Sequence, residues 1–246
     1  MKTDCSQLNH KLVWESDNTL WEFESIPNFT ASQIKKSVFL IAISLRNPSF
    51  SNAWLENVLT DIKHFGGSAI VSLVDTPYIS SVHALSKSRS EMVTNLGRLK
   101  KEREQHLLRV RQSIADFEQF TTLIDWNDLI ALTPKEYNAE IIQGFSKSSK
   151  TQELVLRQVK KAFPEENSDE TLKKLSKFFI EEVPVLCFLY YVLWPGCIDV
   201  YPGTQADFFW CLEKGELKEE LPNLSKLAIS NLPHLYACVK LKPNEQ

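Results

Sequence analysis

Two continuous apolar runs flank one amphipathic stretch, and this arrangement restricts the fold more than any other feature of the chain. Val38-Phe-Leu-Ile-Ala-Ile43 and Ser68-Ala-Ile-Val-Ser-Leu-Val74 have strand length and no polar alternation. Such runs belong to strands covered on both faces, as in a parallel sheet. Between them, Trp54, Leu55, Val58, Leu59 and Ile62 recur at spacings of 1, 3, 1 and 3, which places them on one side of a helix over 52–64. Gly66-Gly67 follows, where a helix C-terminus favours glycine. Strand, helix and strand within about forty residues form a βαβ unit with a right-handed crossover.

Residues 1–34 read as an N-terminal extension with a short strand or edge element and a loop, anchored by Trp14 and Trp21. The spacing of Val93, Leu96, Leu99, Leu107, Val110, Ile114 and Phe117 predicts one long helix over about 86–120. Trp126–Leu132 reads as a connector. Thr133-Pro-Lys-Glu136 has the form of a capping box with proline at the first helical position, opening a helix that carries Tyr137. Gly144 to Lys150 reads as a loop. Helices are expected over 151–162 and 169–182, the second after Asn167-Ser168 and bent or ended by Pro184. Leu186 to Leu193 suits helix or strand. Ile198-Asp-Val-Tyr201 and Leu235–Val239 read as strands, with a helix near 205–213. Strands alternating with helices predict one doubly wound, Rossmann-like α/β domain over 1–246, with a mostly parallel sheet flanked by helices. In such sheets ligands sit beyond the carboxyl ends of the strands at the crossover point. That directs attention to Ser44–Asn47, Asp75–Tyr78 and Tyr201.

Composition removes several function classes. At 43% hydrophobic and 24% charged residues, the 246-residue chain has the make-up of a soluble globular protein. A net charge of −3 argues against a nucleic-acid coat but leaves room for a local basic patch. MKTDCSQLNHK has no apolar core, so no secretion signal and a cytoplasmic location are expected. Val183–Trp194 is shorter than the ~18–20 residues of a bilayer span, and no membrane association is expected. The five cysteines, Cys5 among them, form no C-x-x-C pair; reduced, mostly buried thiols and no metal site are the expectation. Neither G-x-G-x-x-G nor G-x-x-x-x-G-K-S/T occurs, which removes the dinucleotide and P-loop readings. No cofactor is expected.

Three features carry candidate chemistry. Ser44 follows a buried strand, where a serine is most often a cap or turn residue. Without a G-x-S-x-G elbow a hydrolase is disfavoured, and as a nucleophile Ser44 would need a base. Asn47, three residues on, reads first as a turn former and second as a hydrogen-bond donor. Glu181-Glu182 ends a helix beside Phe178 and Phe179. Adjacent helical positions point about 100° apart, so one glutamate should face inward, where desolvation raises its pKa and suits it to proton exchange. Between Lys87 and Arg111 stand eight Lys or Arg against three Glu. Arg98, Lys101, Gln105 and Arg109 share one face, and Lys100, Arg103 and Arg111 add charge. A charge run is usually a solvated face, but a one-signed row at helical pitch can follow a phosphate backbone. Lys147-Ser-Ser-Lys150 reads as a polar loop.

As an ensemble, these segments resemble the tRNA-dependent cyclodipeptide synthases. The carrying residues are Ile43-Ser44-Leu-Arg-Asn47-Pro-Ser-Phe50-Ser51, Val74-Asp75-Thr76, Tyr137, Phe178-Phe-Ile-Glu-Glu182-Val-Pro184 and Val200-Tyr201-Pro202. Tyr201-Pro202 resembles the Tyr-Pro branch of the family. The resemblance implies a fold like the catalytic domain of class Ic aminoacyl-tRNA synthetases, two aminoacyl-tRNAs per turnover and a 2,5-diketopiperazine product. It implies that Ser44 carries first an aminoacyl and then a dipeptidyl group, and that Glu182 holds the amine and moves protons. Tyr201 would orient the serine, Tyr137 would line the pocket, and Leu40, Ala42, Ser72 and Val185 would surround the first side chain. The basic helix would hold tRNA, and a monomer is expected. The family commonly has Tyr where Phe178 stands here; Tyr190, Tyr191 or a water would then supply the hydroxyl. A non-catalytic RNA-binding module would need the basic helix but neither Ser44 nor Glu182.

Overall fold

The first elements of the computed structural model are an antiparallel hairpin, β1 (His10–Glu15) and β2 (Thr19–Ser25). The structure describes residues 10–25, 28–45, 47, 49–75, 77–166, 168–203, 207–232 and 234–243. Cys5, Arg46, Pro48, Thr76 and Asn167, which entered the sequence reading, lie outside the described residues. A short α1 (Ala31–Ile34) leads into β3 (Val38–Ser44), α2 (Asn52–Phe65) and β4 (Ser68–Val74), the expected βαβ unit. Ser51 caps α2 by accepting from the Trp54 N–H at 3.1 Å. Gly66 ends it in the left-handed region at φ 69°, which glycine adopts without steric cost.

Pro77 starts α3 (Pro77–Leu85), a helix that no sequence pattern announced. Its missing N–H costs nothing at a first helical position. The long basic helix is α4 (Arg89–Ile114), shorter than expected because a 3₁₀ turn and an edge strand, β5 (Thr121–Ile124), follow it. The expected connector at 126–132 is a helix, α5 (Trp126–Leu132), capped by Asp125. The capping box at Thr133 does not form. Thr133 sits at the end of α5 and its hydroxyl donates to the Leu129 carbonyl at 2.7 Å, although α6 (Lys135–Lys147) begins where expected.

The expected loop from Gly144 to Lys150 is helical. Ser148 alone breaks the run and caps α7 (Ser149–Ala162) by accepting from the Thr151 N–H. Gly144 belongs to α6 because a Cβ there would meet Leu221 at 2.6 Å. Pro184 does not end α8 (Asp169–Phe188). A mid-helix proline costs about 3 kcal/mol, and the buried run 183–188 offsets it, each apolar side chain contributing about 1.5–3 kcal/mol. α8 passes into a π-helical turn over Leu189–Leu193. Then come β6 (Ile198–Tyr201), α9 (Asp207–Glu213), α10 (Pro222–Ser230) and β7 (Leu235–Leu241).

The seven strands among the described residues join one sheet in the order β1-β2-β7-β6-β3-β4-β5. The five strands from β7 to β5 are parallel, and the hairpin extends the β7 edge antiparallel. From β3 the chain goes first to one side, through β4 and β5, and later to the other, through β6 and β7. The crossover point therefore lies between β3 and β6, whose carboxyl ends are Ser44 and Tyr201. One face of the sheet packs Phe39, Ile41, Ile43, Val71 and Leu73 against α2 and α4. The other packs Leu40, Ile70 and Val74 against helices including α6, α7 and α8. No helix among the described residues is long and apolar enough to cross a membrane.

Candidate active site

Ser44 ends β3, half-buried, and its hydroxyl lies 2.5 Å from the Tyr78 hydroxyl. The chain then turns, with the Asn47 N–H donating to the Ser44 carbonyl at 3.3 Å. This turn carries Asn47 back over the crevice, where its Nδ2 donates to the Tyr201 hydroxyl at 2.9 Å. Asn47 is thus both turn former and donor, since its Oδ1 accepts from the Ser49 N–H. Phe50 stacks edge-on against Tyr201 at 5.2 Å and holds the phenol in place. Burial pushes the Tyr201 pKa up to about 12, the Asn47 bond opposes this, and the Glu182 charge adds to it. Tyr201 therefore works as a neutral hydrogen-bonding group.

Glu182 projects from α8 toward this crevice, and Glu181 turns away. The Glu181 carboxylate accepts from Ser80 of α3 at 2.7 Å and approaches Lys177 at 3.6 Å. Glu182 is half-buried, with pKa raised to about 7 by desolvation first and by the Asp199 charge second. Asp199, buried on β6, is itself raised to about 6 by burial, against the pull of His234 and a hydrogen bond from Tyr190. A carboxylate poised near neutrality is suited to taking and returning protons. Asp199 had a sequence signal that was passed over: an acid inside a short strand otherwise apolar and aromatic.

Phe178 packs edge-on against Tyr78 at 5.0 Å, so α8 presents no hydroxyl there. Tyr190 and Tyr191 do not replace it. Tyr190 bonds Asp199, and Tyr191 donates to Glu213 at 2.8 Å. Glu213 also receives Tyr236 at 2.6 Å and lies 3.1 Å from the His234 ring, all four groups being buried. The wide π turn aims these consecutive tyrosines at two different buried carboxylates. The hydroxyl beside Phe178 belongs to Tyr78, a residue inside a segment that strand-end topology singled out but that no residue pattern selected.

Leu40, Ala42, Ser72 and Val185 come together: Ala42 pairs with Ser72 across β3 and β4, and Leu40 and Val185 share the core beneath Ser44. Ser72 is held by a bond to the Ile124 carbonyl at 3.0 Å. Tyr137 is half-buried against the same core, its phenol raised mainly by burial.

Of the cations on α4, Arg103 points inward. It bonds Asp75, just beyond the end of β4, and Asp125 at 3.1 Å. Lys100, Lys101, Arg109 and Arg111 are exposed, as is Arg98, which reaches Asn95 at 3.1 Å and Glu102 at 3.7 Å. At about 100° per residue, Arg98 and Arg109 share one flank, Lys100 and Arg111 the other, and Lys101 lies between them on the outer side. The Arg98 and Arg109 flank borders a groove also lined by Leu45, Glu102, Gln105 and His106. It continues into a hollow of about 460 Å³ whose walls include Asn47, Phe50 and Ser51. His106 is buried in this wall, its pKa lowered by desolvation and by Arg109. A basic track thus leads to the crevice. Among the described residues no group of three His, Cys, Asp or Glu is placed to hold a metal ion.

No family model and no curated protein sequence matches this chain. Solved structures share its fold. A cyclodipeptide synthase from Bacillus thermoamylovorans is similar with TM-score 0.64 at 15% identity, covering 97% of this chain and 99% of its own. One from Fluoribacter dumoffii has TM-score 0.65 at 14% identity, covering 91% and 100%. A Mycobacterium tuberculosis protein whose structure relates cyclodipeptide synthetases to type I tRNA synthetases has TM-score 0.65 at 12% identity, covering 96% and 98%. The chain has the Rossmann-like fold of these proteins over nearly its whole length.

Proposed function

We propose that this chain is a tRNA-dependent cyclodipeptide synthase of the Tyr-Pro branch. The observation that carries the reading is the convergence of Ser44, Asn47, Tyr201 and Glu182 at the crossover between β3 and β6, in a fold shared with cyclodipeptide synthases. Ser44 takes the aminoacyl group of one aminoacyl-tRNA as an ester. The amine of that ester attacks a second aminoacyl-tRNA, with Glu182 holding the ammonium and accepting its proton, to give a dipeptidyl ester on Ser44. Attack of the terminal amine on that ester closes the ring and frees the serine. The aminoacyl ester arrives activated, so the chemistry needs neither nucleotide nor metal. Acceleration comes from splitting one coupling into acyl transfers and from holding amine and ester together.

Leu40, Ala42, Ser72 and Val185 would form the first side-chain pocket, and Tyr137 would line the dipeptidyl site. The exposed cations of α4 would hold the tRNA backbone; Arg103 would instead fix α4 to the sheet. The reading implies a cytoplasmic protein, because charged tRNA is found there, and a monomer.

Two measurements test this. Medium from an expressing host should contain diketopiperazines by mass spectrometry, and Ser44→Ala should abolish them while costing about 0.5–1.5 kcal/mol of stability for the lost bond to Tyr78. Retained tRNA binding without product from the wild type would favour the non-catalytic RNA-binding alternative.

A further inference from the structure

We infer that Tyr78 is a catalytic residue, a proton relay between Ser44 and the oxygen that leaves or enters at the acyl carbon. This rests on the reading of Ser44 as the acyl carrier. The two hydroxyls are 2.5 Å apart, within the short range of O–H···O bonds. The phenol is rigidly held. Tyr78 is 7% exposed, its ring lies edge-on to Phe178, and its N–H donates to the Asp75 carbonyl at 3.0 Å. Two residues along α3, the bond from Ser80 to Glu181 ties that helix to α8. Tyr201 faces the same crevice and accepts from Asn47 Nδ2, whereas the Tyr78 hydroxyl is the one at hydrogen-bond distance from Ser44 among the bonds of the described residues.

A neutral phenol cannot hold a serine proton as a stable cation, but it can pass one on. As Ser44 Oγ bonds to the acyl carbon, its proton moves to Tyr78 Oη. The proton already on Tyr78 moves to the ribose oxygen as the acyl–oxygen bond breaks. One C–O bond forms, one breaks, and no net charge develops on Tyr78. Ring closure runs the relay in reverse. The attacking amine gives its proton to Tyr78, and Tyr78 gives one to Ser44 Oγ as that oxygen leaves. Glu182 is thereby left to the amine of the intermolecular coupling.

The test is single-turnover acylation, using the full chain, one labelled aminoacyl-tRNA and intact-protein mass detection. Tyr78→Phe keeps the ring against Phe178. It should slow formation of the aminoacyl-enzyme by ~10²–10⁴-fold, the range of general acid–base groups, with unchanged tRNA affinity. In H₂O/D₂O mixtures the wild-type rate should curve, as two protons move together, and the variant rate should be linear. Ser80→Ala loosens α3 from α8 without touching the phenol and should acylate like wild type. Tyr78→Phe acylating within about threefold of wild type, or Ser80→Ala slowing as much as Tyr78→Phe, would overturn the relay. A wild type that takes no label, or a Ser44→Ala variant labelled equally, would instead overturn the reading of Ser44 itself.

Discussion

Glu182 shows how burial converts an ordinary acid into a useful one. On the proposed mechanism, its pKa of about 7 predicts that turnover rises with pH through that value, because the carboxylate would have to be free to accept the amine proton. Glu182→Gln should lower turnover by ~10²–10⁴-fold and remove this rising limb; Glu181→Gln should keep it. Stability moves in the opposite sense. A folded pKa above the ordinary value of 4.5 favours the protonated form, so the contribution is complete below about 4.5 and is lost as pH rises through about 7. Glu182→Gln should therefore match the wild type in thermal unfolding at pH 4 and exceed it at pH 8, by on the order of 1 kcal/mol after screening. Equal shifts at both pH values would contradict the inward placement. From sequence, the desolvated neighbourhood of the Glu pair was legible, because Phe178 and Phe179 stand beside it. The second cause, Asp199, was not, because it comes from a strand that chain separation hides.

On α4, helical pitch and tertiary contacts together sort the cations. The sequence showed the one-signed run but not its orientation, since only the bonds to Asp75 and Asp125 reveal that Arg103 faces inward. If the groove beside His106 carries the acceptor end of tRNA toward Ser44, its flank should dominate binding. Replacing Arg98 and Arg109 together with Ala should lower the log–log salt slope of tRNA binding by roughly 1.4–1.8, about 0.7–0.9 per phosphate contact. Replacing Lys100 and Arg111 should lower it by less than half as much. Filter binding between low and moderate salt measures both, and equal losses would mean that the helix binds without a preferred flank. β3 and β4, continuous apolar runs, and α2, with its strong helical period, were legible within a residue or two. β5 was not, because four residues beginning Thr-Thr carry too little pattern. The loop expected near Lys147 failed because packing of Gly144 on Leu221 outweighs its poor helix propensity.

Across the molecule, the crossover point was predictable from strand order, while the ties that set its geometry were not. The bond from Arg103 to Asp75 joins the basic helix to the end of β4, beside the site. Asp75 is 5% exposed, and a buried carboxylate left without its cation is costly. Arg103→Met should destabilise the fold by ~2–3 kcal/mol, somewhat under the range for fully buried pairs because Arg103 itself is partly exposed. Urea unfolding would show this as a lower midpoint with unchanged slope. A loss within 0.5 kcal/mol would mean that the pair is replaced by water at little cost.

The position of β7 has a consequence for synthesis. It lies between β2 and β6, and Trp54 of α2 donates to its Val239 carbonyl at 2.8 Å. On the ribosome, the hairpin and α2 emerge long before their shared partner. At ~5–20 residues per second they wait roughly 10–40 s for it. Throughout that interval β2 exposes an edge that the finished sheet hides, and β6 joins it only for the last stretch before β7 emerges. Until β7 is made, the nascent chain has Ser44 but not the completed sheet around it, and chaperone demand should peak then.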